Sequence, residues 1–277
     1  MSIQKIHEIN AEAPSTVFRF LEKLAKEKGS LECVSHTEYS PEILKDADLV
    51  LFSFAQSNEL LPLLSVLPSL VRSLGCFDAY APDDGKWYPR AFLYEAIRKV
   101  LIENARDLDT RAPAFVVGSG EEARVAAAVC ANLGLQEIYL IGEDTVALQE
   151  EAKILTRNFL GIQFKILPIE ELTIQAISAS LVINTCDLRP QEALLNDLSY
   201  FNFMKTGGYA LDAYLGVLHS DLLEEAERAE LKVLYPAQVL KALVEVILER
   251  IHIQNLVSNT ELAEMIQAFT KENSSSV

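Results

Sequence analysis

Basic residues are scarce in this chain: 24 lysines and arginines stand against 40 aspartates and glutamates, for a formal net charge of -16. A basic surface is what draws a protein to nucleic acid or to an anionic membrane, so neither is expected as a partner. No apolar run reaches the roughly 18 residues needed to span a bilayer. The opening stretch, MSIQKIHEIN, has no apolar core of the kind a secretory leader carries. A cytoplasmic protein is the expectation. The four cysteines, Cys33, Cys76, Cys130 and Cys186, form no CxxC pair, and His7, His36, His219 and His252 form no cluster along the chain. Buried thiols are therefore expected, with neither disulfides nor a metal site. A G-x-S-x-G elbow is also missing, and no histidine is placed to serve a serine nucleophile.

What the sequence does have is apolar mass in a regular order. It is 277 residues long and half hydrophobic, enough for a real core and for two domains. The first third reads as alternating strand and helix: a strand over 3–9, a helix over 15–28, a strand over 32–36 and a buried strand in DADLVLFSFA. A helix over 58–74 follows. In CFDAYAPDDGKWYP, Asp84-Gly85 is a type I′ hairpin signal. The amphipathic segment AFLYEAIRKVLIENARDL then reads as a helix connecting two domains and ending at TRAP. From Pro113 strands alternate with helices in AFVVGSG, EEARVAAAVCANLG, EIYLIG, a helix over 145–160, FKIL, LVINTC, GGYALDAY and DLLEEAERAE. That spacing means a parallel sheet. Helices over 237–256 and 260–270 carry apolar residues at helical spacing and are placed to cross back to the first domain, and KENSSSV reads as a frayed tail. The fold expected is α/β in two domains. Residues 1–108, completed by 237–277, form an N-terminal α/β substrate-type domain, and 109–236 form a Rossmann-like NAD(P)-binding domain with a parallel sheet.

Gly118-Ser119-Gly120-Glu121-Glu122-Ala123 fits G-x-G-x-x-A between a strand and a helix, the setting the dinucleotide fingerprint requires. The first glycine makes the tight turn, the second lets backbone approach phosphate, and Ala123 lets helix pack close. An acidic residue about 20 positions on takes a ribose hydroxyl in such sites; here Glu143 or Asp144 stands there. A carboxylate at that place repels a 2′-phosphate, so NAD is favoured as cofactor and NADP disfavoured. Against any nucleotide stand Glu121 and Glu122, at a helix N-terminus that ordinarily attracts anions. One carboxylate 4 Å from a phosphate charge costs roughly 4 kcal/mol at an effective dielectric of about 20 and about 1 kcal/mol through water, which is roughly tenfold to a thousandfold in affinity. Two readings stand: a weakened nucleotide site, or two glutamates that only favour the helix dipole.

The order of these motifs resembles the shikimate dehydrogenase family over roughly residues 1–255. GSGEEAR is similar to that family's GAGGAAR, and LVINTC to its strand ending in I-N-[TA]-T. Asp212-Ala213-Tyr214 through Asp221-Leu222-Leu223 resembles its D-x-x-Y-x-P-x-x-T-x-L-L, and LKVLYPAQVLKALVEVILE its closing helical segment. In the N-terminal half AEAPSTVF lies where the family has S-x-S-P-x-x-H-N, LFSFAQSNELLPLL where it has N-V-T-x-P-x-K, and SLGCFDAYAPDDGKWYPRAFL where it has A-x-G-A-x-N-T, a D-G hairpin and G-x-N-T-D. The resemblance implies a hydride transfer between shikimate and NADP in which a lysine and an aspartate position and shuttle the hydroxyl proton. Carried over position by position, that lysine falls on Ser57 and that aspartate on Leu93. The serines that grip the shikimate carboxylate fall on Ala11 and Ala13, the substrate asparagines on Asp78 and Ala91, a late glutamine on Ala242 and the arginine for the 2′-phosphate on Glu143. The threonine is kept in kind as Ser53, and Asn184 and Tyr214 match. Between Lys45 and Lys86 the chain has no lysine, so no small shift of register restores one.

The residues the alignment gathers for a cleft are Ser53, Gln56, Ser57, Asp78, Lys86, Arg90 and Tyr214. Arg90 and Lys86 suit an acidic ligand, or are exposed hairpin charges. Asp78 with Lys86 is a candidate replacement acid–base pair. For the cofactor the candidates are Gly118, Ser119, Gly120, Ala123, Glu143 and Asn184; Asn184 also reads as a strand-end cap and Tyr214 as a packing residue. Two functions follow. The first is a non-catalytic relative of shikimate dehydrogenase, a pseudoenzyme keeping the two-domain shell as a nucleotide-binding, small-molecule or protein-interaction module. The second is an active NAD-linked oxidoreductase on another small polar substrate. The partners implied are a small-molecule ligand or a protein, a second copy of this chain included.

Overall fold

The structure is a computed structural model and describes residues 3–174 and 176–274. The chain divides into two compact units, one made of Met1–Ala96 with Leu240–Val277 and the other of Ile97–Val239. The first division falls after Ala96, inside a helix, where the sequence suggested residue 108.

In the first unit the elements are β1 (Gln4–Ile9), α1 (Thr16–Lys28), β2 (Leu31–His36), β3 (Leu49–Phe52), α2 (Phe54–Leu60), α3 (Ser69–Leu74), β4 (Ala79–Asp83), β5 (Lys86–Arg90) and the start of α4 (Phe92–Asn104). Its five-stranded sheet has the order β2-β1-β3-β4-β5. β1 pairs in parallel with β2 and β3, and the β4–β5 hairpin closes the edge antiparallel. Asp84 and Gly85 at the hairpin tip both have positive φ, 48° and 72°, the backbone that a type I′ turn demands. α1 forms because the Ser15 hydroxyl accepts from the Phe18 N–H and Gly29 ends it in the left-handed region, burying Phe18, Phe20, Leu21 and Leu24. The single helix expected over 58–74 is two. Pro62 and Pro68 have no N–H to give a continuous helix, and the chain between the two helices is extended at Leu64, ψ 121°, and at Pro68, ψ 150°.

The C-terminal helices begin with α10 (Pro236–Arg250) and end with α11 (Asn259–Ser274). α11 lies on α1: Phe20 meets Phe269 edge to face with ring centres 5.4 Å apart, and Lys23 pairs with Glu272 at 2.8 Å. The tail expected to fray is helical through Ser274, and residues 275–277 lie outside the described ones.

The second unit continues from α4 with β6 (Ala114–Val117), α5 (Glu121–Asn132), β7 (Glu137–Ile141), α6 (Thr145–Asn158), β8 (Gln163–Leu167), α7 (Ile169–Leu172), β9 (Ala179–Asn184), α8 (Glu192–Ser199), β10 (Met204–Asp212), α9 (Asp221–Arg228) and β11 (Lys232–Leu234). All its strand pairings are parallel. The sheet order β8-β7-β6-β9-β10-β11 is 3-2-1-4-5-6 in the unit's own numbering, the doubly wound arrangement. β6 and β9 are buried at every residue, as central strands covered on both faces must be. α4 stops at Asn104, short of the TRAP break, because the following turn is pinned by its carboxylates: Asp107 to Lys232 and Tyr209, Asp109 to Lys205 at 2.5 Å. Among the described residues no helix is long and apolar enough to cross a membrane.

Candidate functional site

The carboxyl end of β6 lies where the sheet's winding reverses, between β7 and β9, and ligands of such sheets sit in the crevice there. Gly118 leaves β6 at φ 118° and Gly120 opens α5 at φ 89°. A Cβ on Gly118 would stand 2.4 Å from Thr185 Oγ1 and 3.3 Å from Cys186 Cβ, so both backbone and space demand glycine. Ser119 is exposed. Gly120 is the N-cap and supplies no side chain to the first turn, leaving the orphan N–H groups of α5 to another acceptor. Ala123, 1% exposed, packs the helix close to the sheet.

The two glutamates of that turn have different surroundings. Arg124 holds Glu151 of α6 through Nε and, at 3.3 Å, through Nη2, and both side chains are more than nine-tenths buried. Arg124 Nη2 also lies 3.6 Å from the Glu121 carboxylate, so the charge of Glu121 is countered. Glu122 has no ion pair at salt-bridge distance among the described residues. Its Oε2 stands 4.0 Å from where a Cβ of Gly120 would be. Burial raises its pKa, with Glu121 and Glu151 pushing the same way.

At the end of β7 the two candidate ribose carboxylates separate. Asp144 caps α6, accepting from Val146 N at 3.0 Å and Ala147 N at 2.9 Å. Glu143 stands exposed beside it. At the ends of β9 and β10 the polar groups are tied together. Asn184 is 2% exposed and its amide is spent inside the protein. Nδ2 donates to Asp212 Oδ1 at 3.0 Å and to the Cys186 carbonyl at 2.9 Å, and Oδ1 accepts from Cys186 N at 3.3 Å. Asn184 is thus a strand-end brace, the second of its two readings. Asp212 is pushed up to about 6 by burial, against the opposing pull of the Ser220 hydroxyl, the Tyr214 N–H and the Asn184 amide. Tyr214 is half-buried, and its ring lies against Gly216 so closely that a Cβ there would be 2.3 Å from Oη. Burial pushes the Cys186 thiol up to about 11, which makes it a poor nucleophile.

In the first unit the structure leaves Asp78 and Lys86 apart. Asp78 caps α4, accepting from Phe92 N at 2.6 Å and Leu93 N at 2.7 Å. Burial pushes it up to about 7, opposed by those two N–H groups. Lys86 is exposed and pairs across the hairpin with Asp83. At about 3.3 Å per strand residue it is roughly 15 Å from Asp78. They do not form an acid–base pair. Arg90 gives Nη2 to Asp83 at 2.7 Å, and Arg250 reaches the same aspartate at 3.4 Å, so Arg90 is a hairpin brace. Ser53 caps α2, accepting from Gln56 N. Ser57 is fully buried and its hydroxyl donates to the Phe54 carbonyl at 3.0 Å.

Two of the histidines that looked scattered do meet. His7 Nδ1 and His36 Nε2 are 2.8 Å apart with rings parallel within 5°. The parallel register sets His7 opposite Val34 and His36 opposite Ile9, which puts the two rings on one face as diagonal neighbours. His7 is 4% exposed and its Nε2 is buried without a partner. Among the described residues no cluster of three or more His, Cys, Asp or Glu is placed to hold a metal ion.

No family model matches the chain, and no curated protein sequence matches it. Solved structures do. Quinate dehydrogenase from Corynebacterium glutamicum in complex with NAD superposes with a TM-score of 0.77 at 13% identity, over 96% of this chain and 99% of that one. Shikimate 5-dehydrogenase from Listeria monocytogenes in complex with shikimate and NAD gives 0.74 at 14% identity, over 96% and 95%. The ligand-free 5-ketofructose reductase of a Gluconobacter species gives 0.71 at 13%, over 97% and 99%. At these identities the likeness is one of fold. The chain has the α/β fold of the shikimate and quinate dehydrogenases, Rossmann unit included.

Proposed function

We propose that this chain binds a dinucleotide of the NAD type on its Rossmann unit and does not carry out hydride transfer between shikimate and NADP. It keeps the dehydrogenase shell for binding or interaction. The observation that carries the second half is Ser57. It stands in the alignment where the proton-shuttling lysine belongs, and it is fully buried with its hydroxyl given to the Phe54 carbonyl. A buried alcohol already donating to a backbone carbonyl neither takes up a proton at neutral pH nor points at a substrate. Leu93, in place of the partner aspartate, is 9% exposed and cannot transfer a proton.

The binding half rests on the loop. The backbone of Gly118, Ser119 and Gly120 is the candidate pyrophosphate cradle: Gly118 packs against Thr185 with no room for a Cβ, and Gly120 leaves the first turn of α5 without a side-chain cap. Glu143 is the exposed carboxylate at the ribose position, and its charge would oppose a 2′-phosphate. The group such a loop holds supplies hydride chemistry; this chain's residues supply grip and orientation. A second reading, an NAD-linked oxidoreductase acting on another small polar substrate, is favoured by the fold shared with a 5-ketofructose reductase and with two dehydrogenases solved with NAD. Titrating the purified protein calorimetrically with NADH and with NADPH, then assaying shikimate and quinate with either oxidised cofactor, separates these. NADH binding tighter than NADPH, with no turnover of shikimate or quinate, is expected. Robust turnover of shikimate would overturn the proposal.

A further inference from the structure

The glycine cradle fits a dinucleotide, but one side chain of this chain does not. We infer that Glu122 sets the dinucleotide affinity of the loop by holding its own carboxylate where the pyrophosphate has to come, an inference that rests on the NAD-type binding proposed above. Its Oε2 lies 4.0 Å from a Cβ built on Gly120, the atom that comes nearest among the described residues outside Gly120's own chain neighbours, and Gly120 is the residue whose missing side chain lets backbone meet phosphate. The Glu122 N–H is one of the donors at the start of α5 that a bound anion would use. A dinucleotide must move that carboxylate aside to reach the helix terminus.

Only Arg124 eases that charge. Arg124, further along the first turn of α5, is engaged by Glu151 and Glu121. The other groups facing Glu122 are the carboxylates of Glu121 and Glu151, and the Tyr214 phenol beyond β10. Glu121 and Glu122 are therefore not equivalent, although they are neighbours in sequence. Glu121 lies 3.6 Å from Arg124 Nη2, whereas Glu122 Oε2 lies 4.0 Å from the Cβ position of Gly120. The residue that decides affinity is the second.

Glu122→Gln keeps size and helical fit and removes only the charge, so it isolates the effect. NADH is titrated into wild type, Glu122→Gln and Glu121→Gln, each with a matching thermal melt to show the fold is kept. Glu122→Gln is expected to bind NADH at least tenfold tighter than wild type, with Glu121→Gln within about threefold of wild type, because a carboxylate about 4 Å from a phosphate charge costs roughly that factor. If wild type and Glu122→Gln both bind NADH with equal affinity, the role of Glu122 is overturned while NAD-type binding stands. An equal gain in Glu121→Gln would also overturn it, since the effect would then be general charge. If none of the three binds NADH at millimolar concentration, the binding proposal itself falls and this inference with it.

Discussion

Replacing Arg124 by methionine removes the one cation from a group of three carboxylates, Glu121, Glu122 and Glu151, at the junction of α5 and α6. Arg124 is 7% exposed at its side chain and Glu151 9%, so water cannot take over the work of the lost partner. Breaking such a buried pair costs about 3–5 kcal/mol, because a charge is left without compensation. For a unit of this size each kcal/mol moves the melting temperature by about 2–4 °C, so a drop of roughly 10 °C is expected. The pair itself is a different matter. Two charges taken out of water lose nearly what their attraction returns, so Arg124→Met with Glu151→Met together should lie within about 1 kcal/mol of wild type. Urea denaturation of wild type, both single variants and the double variant, followed by circular dichroism, gives the coupling directly. With each single variant costing about 3–5 kcal/mol and the double within about 1 kcal/mol of wild type, a coupling of about 5 kcal/mol or more is expected. Single variants that each cost under about 1 kcal/mol, or a double variant equal to the sum of the singles, would refute the reasoning that this pair is buried and closed.

Two further outcomes follow from the geometry. Gly118→Ala sets a Cβ 2.4 Å from Thr185 Oγ1, whose hydroxyl is already bonded to the Val117 carbonyl at 2.7 Å, on a backbone at φ 118°. Strain and overpacking together should cost about 3 kcal/mol or more, and a chemical denaturation midpoint close to wild type would count against so tight a turn. His7 has a pKa lowered by burial and then by His36, so the unfolded chain takes up a proton near pH 6.5 that the folded one refuses. Its contribution to stability is therefore complete above the ordinary histidine range and is lost as pH falls through the lowered folded value. His7→Phe should lose less stability than wild type between pH 7.5 and 5.5. Comparing the two proteins removes the opposite trend of Asp78 and Asp212, pushed up to about 7 and about 6. Parallel pH profiles for the two would show that His7 does not titrate in this way.

Local signals were legible where one short stretch carries the whole cause. Asp84-Gly85 needs only its own positive φ values to make the hairpin. Ser15 and Gly29 bracket α1 by capping alone. The Gly118-Ser119-Gly120 turn declares itself between an apolar strand and an alanine-rich helix. Pro62 and Pro68 could have warned that 58–74 is not one helix, since each removes a donor that a continuous helix needs. β11, three residues long and held by its neighbour β10, has no periodicity to read. The absence of a lysine from 46 to 85 was likewise plain in the sequence.

The roles of individual polar groups were another matter, because they depend on what stands opposite in space. His7 and His36 are 29 residues apart in sequence and hydrogen-bond distance apart in the sheet, a pairing fixed by the register of two parallel strands. Asn184 matched a binding motif, yet its amide is used up by Asp212 and Cys186. Asp78 and Lys86 are close in number and stand at opposite ends of a hairpin. The order of strands, helices and glycines was determined by the sequence, since periodicity, caps and turn residues act within a few positions. Which carboxylate faces an arginine and which faces the glycine cradle was decided only by tertiary packing, since Arg124 is committed by Glu151, 27 residues away on another helix.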